Sequence, residues 1–407
     1  MTSTPTAAPK TVATRSIRSR KNIVEPLATS RVSAMATSVL QEHLKRALAK
    51  ALQAVASKST LPVLGNVLLV AEGSHLTISA TNLEVGIVAT IAAQVTHPGA
   101  ITLPAKLLSD VVAGLPNETI TLVMDARTQR VQLTCGAFAA NINGMAAEEF
   151  PTIPTLATQT PTATFAPEAL CSAISQVAFA AGSDDTRPVL TGVRINLTGT
   201  VASFAAADGF RMAFRTIALE TAVAHDQQVV VPARAMATLG KVLTDVDDAV
   251  EQRIDQDSVI FRADGVELVA RCIDGTYPAI DRYLNLAFGT VLEIETKELA
   301  RAVKLAAFFA TSSANIVRLQ LAHADTGGQL TVSANAAEVG DNSSTHAATI
   351  HGTGGTVALN ATYLADGIAA IATPQVAIHY NTAQQPIVLR GIGDETYTHV
   401  AMPMTVK

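Results

Sequence analysis

The sequence predicts an α+β fold made of three tandem repeats, and two recurring segments and their surroundings indicate it. A strand-like segment recurs at spacings of 126 and 128 residues, at positions 75–86, 201–212 and 329–340. A second segment recurs at spacings of 128 and 128 residues, starting at Pro104, Pro232 and Asn360. Helical and strand-like patterns alternate around both markers. Two markers in register indicate repeated domains, not a chance similarity.

Each repeat contains two helix-like stretches. Apolar residues recur there at i, i+3 and i+4, and several stretches begin at or next to a proline. The predicted helices are at about 41–55, 104–115, 167–181, 232–243, 297–310 and 361–372.

Short runs rich in β-branched residues lie between the predicted helices. The predicted strands include 67–70, 76–79, 119–123, 131–134, 229–231, 259–261, 317–321 and 387–389. Turn signals follow at 208–209, 264–265 and 274–275, each an Asp-Gly pair. Tight turns of this kind join antiparallel strands, so each repeat is expected to place two helices on antiparallel sheet.

The repeat length divides the 407 residues into a leader and three domains. We expect boundaries near a Pro-containing joint at 150–154 and near 285–289. The predicted units are a tail at 1–34 and domains at 35–160, 161–288 and 289–407.

The tail holds six basic residues against one acid, Glu25, and has no hydrophobic periodicity. We expect a disordered segment. A plain flexible tail, an upstream start codon preceding the ordered pattern at Met35, and a transit peptide are the alternatives.

Composition excludes several classes of protein. Hydrophobic residues make up 48% of the chain, but no run approaches the roughly 20 apolar residues that span a bilayer. The three cysteines, Cys135, Cys171 and Cys272, show no metal-ligand spacing, which argues against a zinc site or a disulfide framework. A reducing cytoplasm fits this pattern, and no cofactor is expected.

Charge is segregated between the predicted helices and the remainder of the body. The chain carries a net charge of −5, and without the basic tail residues 35–407 carry −10. The six helices nevertheless hold nine basic residues against five acidic ones. Two interpretations stay open: ordinary solvated helix faces, or a helical surface that faces a polyanion while the acidic remainder repels it.

Seven segments in order make the chain similar to the bacterial DNA polymerase III beta subunit family, the sliding clamps. They span residue 35 to the C-terminus and lie at 60–69, 103–106, 185–192, 207–213, 273–278, 360–364 and 402–404.

The resemblance implies three DNA-clamp domains per chain and a closed ring formed by a head-to-tail homodimer around duplex DNA. Such a ring is a processivity factor without catalytic activity. It binds DNA without sequence preference and tethers the replicative polymerase, the clamp loader and other clamp-motif proteins. The implied location is cytoplasmic and nucleoid-associated. Phosphate contacts without base contacts suit sliding.

The resemblance also implies a cleft for a partner peptide between the second and third domains. The matching positions are Arg187, Leu190, Gly209, Phe210, Arg211, Met212, Pro278, Arg282, Tyr363, Val400, Met402, Pro403 and Met404. Arginines around an apolar cleft can fix the backbone or carboxylates of a guest, and methionine adapts to several guests. Ordinary core is the alternative for Leu190, Met212 and Val400. The chain departs from the family at Phe210, usually His, and at Val189, often aromatic.

Positions that match DNA contacts of the family are Lys58, Lys106 and Arg234. Helix charge adds Lys45, Arg46, Lys50, Lys241, Arg301 and Lys304, with solvated surface residues as the alternative. For the dimer interface the matching apolar positions are Ile142, Phe308 and Phe309. Neighbouring helix positions lie about 100° apart, so one phenylalanine of the pair is free to meet a partner, unless both cap the third domain.

Two rival classes of protein fit the sequence less well. An enzyme is disfavoured because no phosphate-binding loop, HExxH pair or GxSxG elbow occurs, and these motifs carry the corresponding chemistry. A three-module scaffold protein would need neither basic helices nor the Met-Pro-Met ending.

Overall fold

The computed structural model describes residue 1 and residues 35–56, 60–154, 160–184, 186–255, 257–312, 314–324 and 327–405. The tail, Lys58 and the first residue of the segment 185–192 lie outside these residues, so the expectations for the tail and for Lys58 are not described by the structure. The described chain forms three repeats, each with two helices and a set of antiparallel strands.

The first repeat contains nine strands and two helices. They are β1 Ala36–Leu40, α1 Gln41–Ala51, β2 Asn66–Glu72, β3 His75–Thr81, β4 Val85–Ala92, β5 Gln94–His97, β6 Gly99–Pro104, α2 Ala105–Gly114, β7 Thr119–Asp125, β8 Arg130–Cys135 and β9 Phe138–Asn143.

The second repeat contains eight strands and two helices. They are β10 Ala163–Phe165, α3 Pro167–Val177, β11 Gly192–Thr198, β12 Val201–Ala207, β13 Arg211–Ala218, β14 Gln227–Pro232, α4 Ala233–Val242, β15 Val250–Asp255, β16 Ser258–Ala263 and β17 Val266–Arg271.

The third repeat has the same count. It comprises β18 Thr290–Glu295, α5 Thr296–Ala310, β19 Ile316–Ala324, β20 Gly327–Ala336, β21 Gly340–His351, β22 Gly355–Asn360, α6 Ala361–Ala369, β23 Gln375–Tyr380, β24 Ile387–Gly391 and β25 Tyr397–Ala401.

All six predicted helices and all eight predicted strands are confirmed, with helix ends shifted by a few residues. The helix predicted to reach residue 55 ends at Ala51, and a 3₁₀ turn continues to Ala54. One turn assignment was wrong: the Asp-Gly pair at 274–275 follows β17 in the connection to the third repeat and joins no hairpin. An Asp-Gly pair specifies only a local turn, and among the described residues no strand directly follows this one.

Two sheets continue from one repeat into the next. Strand β17 of the second repeat pairs antiparallel with β4 of the first, with Leu268 opposite Ile87. Strand β13 of the second repeat pairs with β25 of the third, with Ala213 opposite His399. Each repeat has two halves with one helix in each. In both joins, the last strand of the first half of one repeat (β4 or β13) pairs with the last strand of the second half of the next repeat (β17 or β25). We call these joins the first seam and the second seam.

The helices form a second layer that is also continuous between repeats. Within each repeat the two helices pack together, α1 with α2, α3 with α4, and α5 with α6. Across the first seam, α4 packs against the 3₁₀ turn that follows α1. Across the second seam, Gln176 of α3 donates to the carbonyl of Ala370 after α6, at 2.8 Å. The helical layer therefore runs α2-α1-α4-α3-α6-α5.

The spacing of apolar residues along α1 explains why this helix lies on sheet. In α1 the residues facing the core include Leu44, Ala47 and Leu48, at the i, i+3, i+4 spacing of one helix face.

Helix α6 begins with a side-chain cap, because Asn360 Oδ1 accepts hydrogen bonds from the backbone of Thr362 and Tyr363.

Candidate functional site

A cluster of apolar residues lies at the second seam and is separate from the main core. Leu190, Met212 and Val400 belong to it and are 7%, 4% and 2% exposed. Met212 of β13 lies directly opposite Val400 of β25, while Tyr277 and Ile280 of the connection to the third repeat complete the cluster. The three predicted cleft residues are therefore buried, but in a cluster shared between two repeats.

The rim around this cluster is exposed and carries both cations and apolar surface. Pro278 and Arg282 are exposed, and the guanidinium of Arg282 lies 4.8 Å from the ring centroid of Tyr283. The side chain of Arg187 is 50% exposed, and Phe210 is 60% exposed. An exposed phenylalanine beside arginines offers both apolar area and hydrogen-bond donors to a guest.

The turn between β12 and β13 fixes the orientation of Phe210. The carboxylate of Asp208 accepts hydrogen bonds from the backbone N–H groups of Phe210 and Arg211, at 2.8 and 2.9 Å. Gly209 has a φ of +96°, and a Cβ there would lie 3.0 Å from Nη1 of Arg187. Glycine suits this left-handed backbone, and the tight turn holds the aromatic ring out toward solvent.

Arg211 connects the turn to two helices instead of pointing freely into the cleft. Its guanidinium is bonded to Asp208 at 3.1 Å and to Asp366 of α6 at 2.5 Å. It also donates to the carbonyl of Phe179, at 2.7 Å, and lies 4.5 Å from the ring centroid of Tyr363. With its side chain only 12% exposed, Arg211 ties the second repeat to the third.

The C-terminal segment borders the same cleft. The N–H of Met402 donates to the carbonyl of Phe210 at 2.8 Å, and the N–H of Met404 donates to the carbonyl of Ala358 at 2.8 Å. Met402, Pro403 and Met404 are all half-buried. The two backbone bonds hold flexible methionine side chains next to the exposed rim.

Two titratable groups under the cleft are held in their neutral forms. Burial, and then the nearby Arg211, lower the pKa of His399 to about 3. Burial raises the pKa of Tyr277 to about 12. His399 stacks on Phe179, with ring centroids 5.9 Å apart, and a Cβ on Gly367 would lie 2.3 Å from its ring. Gly367 therefore gives α6 the close approach that encloses the imidazole.

Most predicted DNA-contacting cations are exposed on the helical layer. Lys45, Arg46, Lys106, Arg234, Lys241, Arg301 and Lys304 are exposed. Lys50 differs, because its side chain is 18% exposed and its ammonium lies 3.9 Å from the carboxylate of Asp264. Burial lowers the pKa of Lys50, and Asp264 opposes that shift.

The three predicted dimer-interface residues have different surroundings. Phe308 is 66% exposed, whereas Phe309 is half-buried and packs against the main core. The side chain of Ile142 is 3% exposed and belongs to the main core. Alternation along β9 turns the Ile142 side chain inward, and its assignment to the dimer interface stays a prediction.

Several residues of these surfaces were missed by sequence reasoning. Phe138 of β9 and Leu305 of α5 are 56% and 47% exposed, and Leu305 precedes Phe308 by three positions on the same helix face. Asp366 and His399 contact the cleft arginine and its neighbours from the third repeat. Amphipathic patterning could have identified Leu305, but the partners of a long-range ion pair leave no local signal.

Among the residues that the structure describes, no cluster of three metal-ligating side chains occurs. In the same part of the chain, every helix is too short or too polar to cross a bilayer.

Sheets joined edge to edge, with a layer of cation-bearing helices running beside them, are the construction of a DNA clamp. Three family profiles of the DNA polymerase III beta subunit match successive parts of the chain: the N-terminal domain at 35–154, the central domain at 164–279 and the C-terminal domain at 286–405. The chain belongs to this family, the beta sliding clamps, and is a DNA sliding clamp and processivity factor, not an enzyme.

Relatives agree over nearly their whole length. The beta sliding clamp of Synechocystis sp. is 32% identical over 387 residues, covering 89% of this chain and 97% of that protein. The Streptomyces coelicolor clamp is 29% identical, covering 91% and 99%. The crystal structure of the Bacillus subtilis clamp superposes with a TM-score of 0.86 at 25% identity, covering 92% and 100%. A Pseudomonas aeruginosa clamp bound to griselimycin gives 0.83 at 26% identity, covering 92% and 100%.

Proposed function

We propose that two copies of this chain close head to tail into a ring that encircles duplex DNA and tethers a polymerase through the second-seam cleft. The observation that carries the ring is the repetition of one seam geometry. The first seam joins β4 to β17, and the second joins β13 to β25. Strands β4 and β13 hold equivalent places in their repeats, and so do β17 and β25.

Two further strands occupy these equivalent places, one in the first repeat and one in the third, and each has an open edge. Strand β9 is the first repeat's equivalent of β17, and it lies at the end of its sheet. Strand β21 is the third repeat's equivalent of β13. Among the described residues, β21 pairs on its second side only at 349–351, with β18. A third seam between β21 of one copy and β9 of the next would cover both edges, and open edges are a liability in soluble proteins. Two copies have two such seams and six repeats, so the contact is heterologous and can close.

The internal seams predict the register of the third seam. Ala213 of β13 lies opposite Ala206, and Asn342 of β21 lies opposite Ala334, the matching alanine. Hairpins β8-β9 and β16-β17 have equivalent pairing, which matches Leu268 to Ala140. Transfer of the seam geometry therefore places Asn342 opposite Ala140 of the partner subunit.

Phe308 supports the same arrangement. Alignment of α3 with α5 matches Phe179 to Phe308. Phe179 is half-buried at the second seam, where its ring stacks on His399 of β25. Among the described residues of the single chain, no strand equivalent to β25 lies beside Phe308, which is 66% exposed. In the ring it would pack over Ala140 of the partner subunit and the exposed Phe138 nearby.

Cross-linking tests the ring. A chain carrying Ala140→Cys and Asn342→Cys should form a covalent dimer on mild oxidation, because residues directly opposite on antiparallel strands have Cβ atoms about 4.5–5.5 Å apart. The matched control carries Ala139→Cys with Asn342→Cys, since a one-residue shift points the side chain to the other face. No dimer in the first variant, or equal dimer in both, would refute the proposed register.

The helical layer would form the inner wall of the ring. Its exposed cations supply attraction to phosphates without base contacts, which is sequence-neutral and salt-dependent. Lys45, Arg46, Lys106, Arg234, Lys241, Arg301 and Lys304 are the residues we assign to this wall, with Lys50 partly neutralised by Asp264. Lys58 remains assigned by resemblance.

The cleft at the second seam would bind the apolar anchors of a clamp-motif peptide from a polymerase, a loader or another replication protein. Leu190, Met212 and Val400 form its floor, while Phe210 and Arg187 stand at its rim. The proposed domains are 35–160, 161–288 and 289–407, and the proposed location is the cytoplasm, on the nucleoid. Isothermal titration with a peptide carrying such a motif tests the cleft, with one site per chain expected.

A further inference from the structure

A cavity of about 540 Å³, lined by both apolar and charged side chains, lies where the first and second repeats meet in the helical layer. Helix α1 contributes His43, Arg46 and Lys50 to its lining, and Lys241 comes from α4. We call this cavity the junction cradle. It lies beside the first seam and is separate from the peptide cleft at the second seam.

The cradle holds more positive than negative charge. Arg46, Lys50 and Lys241 are the basic side chains there, and the carboxylates of Asp245 and Asp264 oppose them. His43 adds a ring that is half-buried. A site with three cations and two anions attracts a phosphate, but less strongly than the cations alone would.

Asp264 belongs to the second repeat, and its carboxylate lies next to helix α1 of the first. Asp264 occupies the two-residue turn between β16 and β17, and its carboxylate lies 3.9 Å from the ammonium of Lys50. The turn is anchored at this place, since the N–H of Thr90 donates to the carbonyl of Gly265 at 2.9 Å. The Asp264 side chain is 59% exposed, and an ion pair of this length with one solvent-exposed partner is weak.

We propose that the junction cradle binds a phosphate of the DNA backbone and that Asp264 competes with that phosphate for Lys50. The ammonium alternates between the carboxylate and successive phosphates as the duplex moves. Competition weakens the binding of the chain at each position along the DNA. Weaker binding at each position favours sliding over static binding. The inference rests on the proposed encirclement of DNA and deepens it.

The substitution Asp264→Asn isolates the charge of this side chain. Asp264 has a φ of +47°, a left-handed conformation that asparagine tolerates well. The turn should therefore keep its shape while the competing anion is lost.

The measurement is the salt dependence of binding to a short linear duplex, between about 50 and about 200 mM salt. Asp264→Asn should steepen the slope of log K against log salt by up to about 0.9 per subunit, the value for one added phosphate contact. It should also tighten binding at the low-salt end about threefold. Adding Lys50→Met to Asp264→Asn should remove the whole gain.

The other end of β16 provides a matched control. Asp257 lies 3.9 Å from Arg271, and its side chain is 62% exposed. It directly precedes β16, whereas Asp264 directly follows that strand. Asp257→Asn removes the same charge and an equally long ion pair away from the cradle. A strand of six residues separates the two positions.

The proposal predicts a gain for Asp264→Asn alone, cancelled by Lys50→Met. Equal slopes for Asp264→Asn, Asp257→Asn and the unmodified chain would overturn it, and so would a gain that survives Lys50→Met. Failure of the ring has a different signature. If the unmodified chain leaves circular and linear DNA at the same rate, encirclement is wrong, while the slope on linear duplex still decides whether the cradle binds phosphate.

Discussion

Replacement of Phe308 by alanine should weaken the dimer about 1000-fold. A phenylalanine side chain presents roughly 200 Å², so an exposure of 66% leaves about 130 Å² for a partner to cover. Alanine would keep about a third of that area. The loss of about 90 Å² corresponds to about 2 kcal/mol per seam. A ring has two seams, so about 4 kcal/mol is lost, or roughly three decades in Kd.

Sedimentation equilibrium over a range of protein concentrations measures this change. The unmodified chain, of 42.3 kDa, should run at twice its monomer mass at concentrations where Phe308→Ala is largely monomeric. Phe210→Ala is the matched control, because Phe210 is 60% exposed but lies at the peptide cleft. If both variants dissociate alike, or neither does, the assignment of Phe308 to the seam is refuted.

Three further predictions concern the second seam. Deletion of the chain from Met402 onward should abolish binding of a clamp-motif peptide and leave the dimer intact; unchanged affinity in a titration would remove this segment from the cleft. Arg211→Met should lower the free energy of unfolding by about 2 kcal/mol in urea, below the 3–5 kcal/mol of a fully buried pair because Asp366 is 39% exposed. Arg282→Met, at an exposed position, should change it by less than about 0.5 kcal/mol, and equal losses would contradict the structural role of Arg211. The depressed pKa of His399, about 3, means that below about pH 6.5 the unfolded chain binds a proton that the folded chain does not. Stability should therefore fall by about 1.4 kcal/mol per pH unit between about pH 6 and pH 4 through this group, and His399→Asn should flatten that dependence in denaturation curves recorded across the range.

The repeat and its elements could be read from the sequence because their signals are local. Apolar spacing alone located α1 to α6, and the recurring markers placed them in three units. The family resemblance supplied the cleft, and the resemblance together with the charge of the predicted helices supplied the cations of the inner wall. Helix geometry predicted that either Phe308 or Phe309 is free of the core, since two adjacent phenylalanines cannot share one face of a helix, but the sequence did not say which one.

The features of the fold and site that were not predicted from the sequence depend on contacts between residues that are far apart in the chain. Nothing near Arg211 indicates that Asp366, 155 positions later, holds its guanidinium. The inward orientation of Ile142 follows from the register of β9, which one residue of slip would reverse. The pair of Lys50 and Asp264 likewise requires that a turn of the second repeat be brought onto a helix of the first. Charge counts along the sequence treated Lys50 as a free cation of the helical layer.

Retention on DNA of different topology tests the ring most directly. The chain is loaded onto a nicked circular plasmid by its loader, washed at high salt, and separated by gel filtration before and after the plasmid is cut once. We predict that it stays with the circle and runs off the linear form. Equal loss from both forms would contradict encirclement, and equal retention on both would show binding that does not depend on a closed ring.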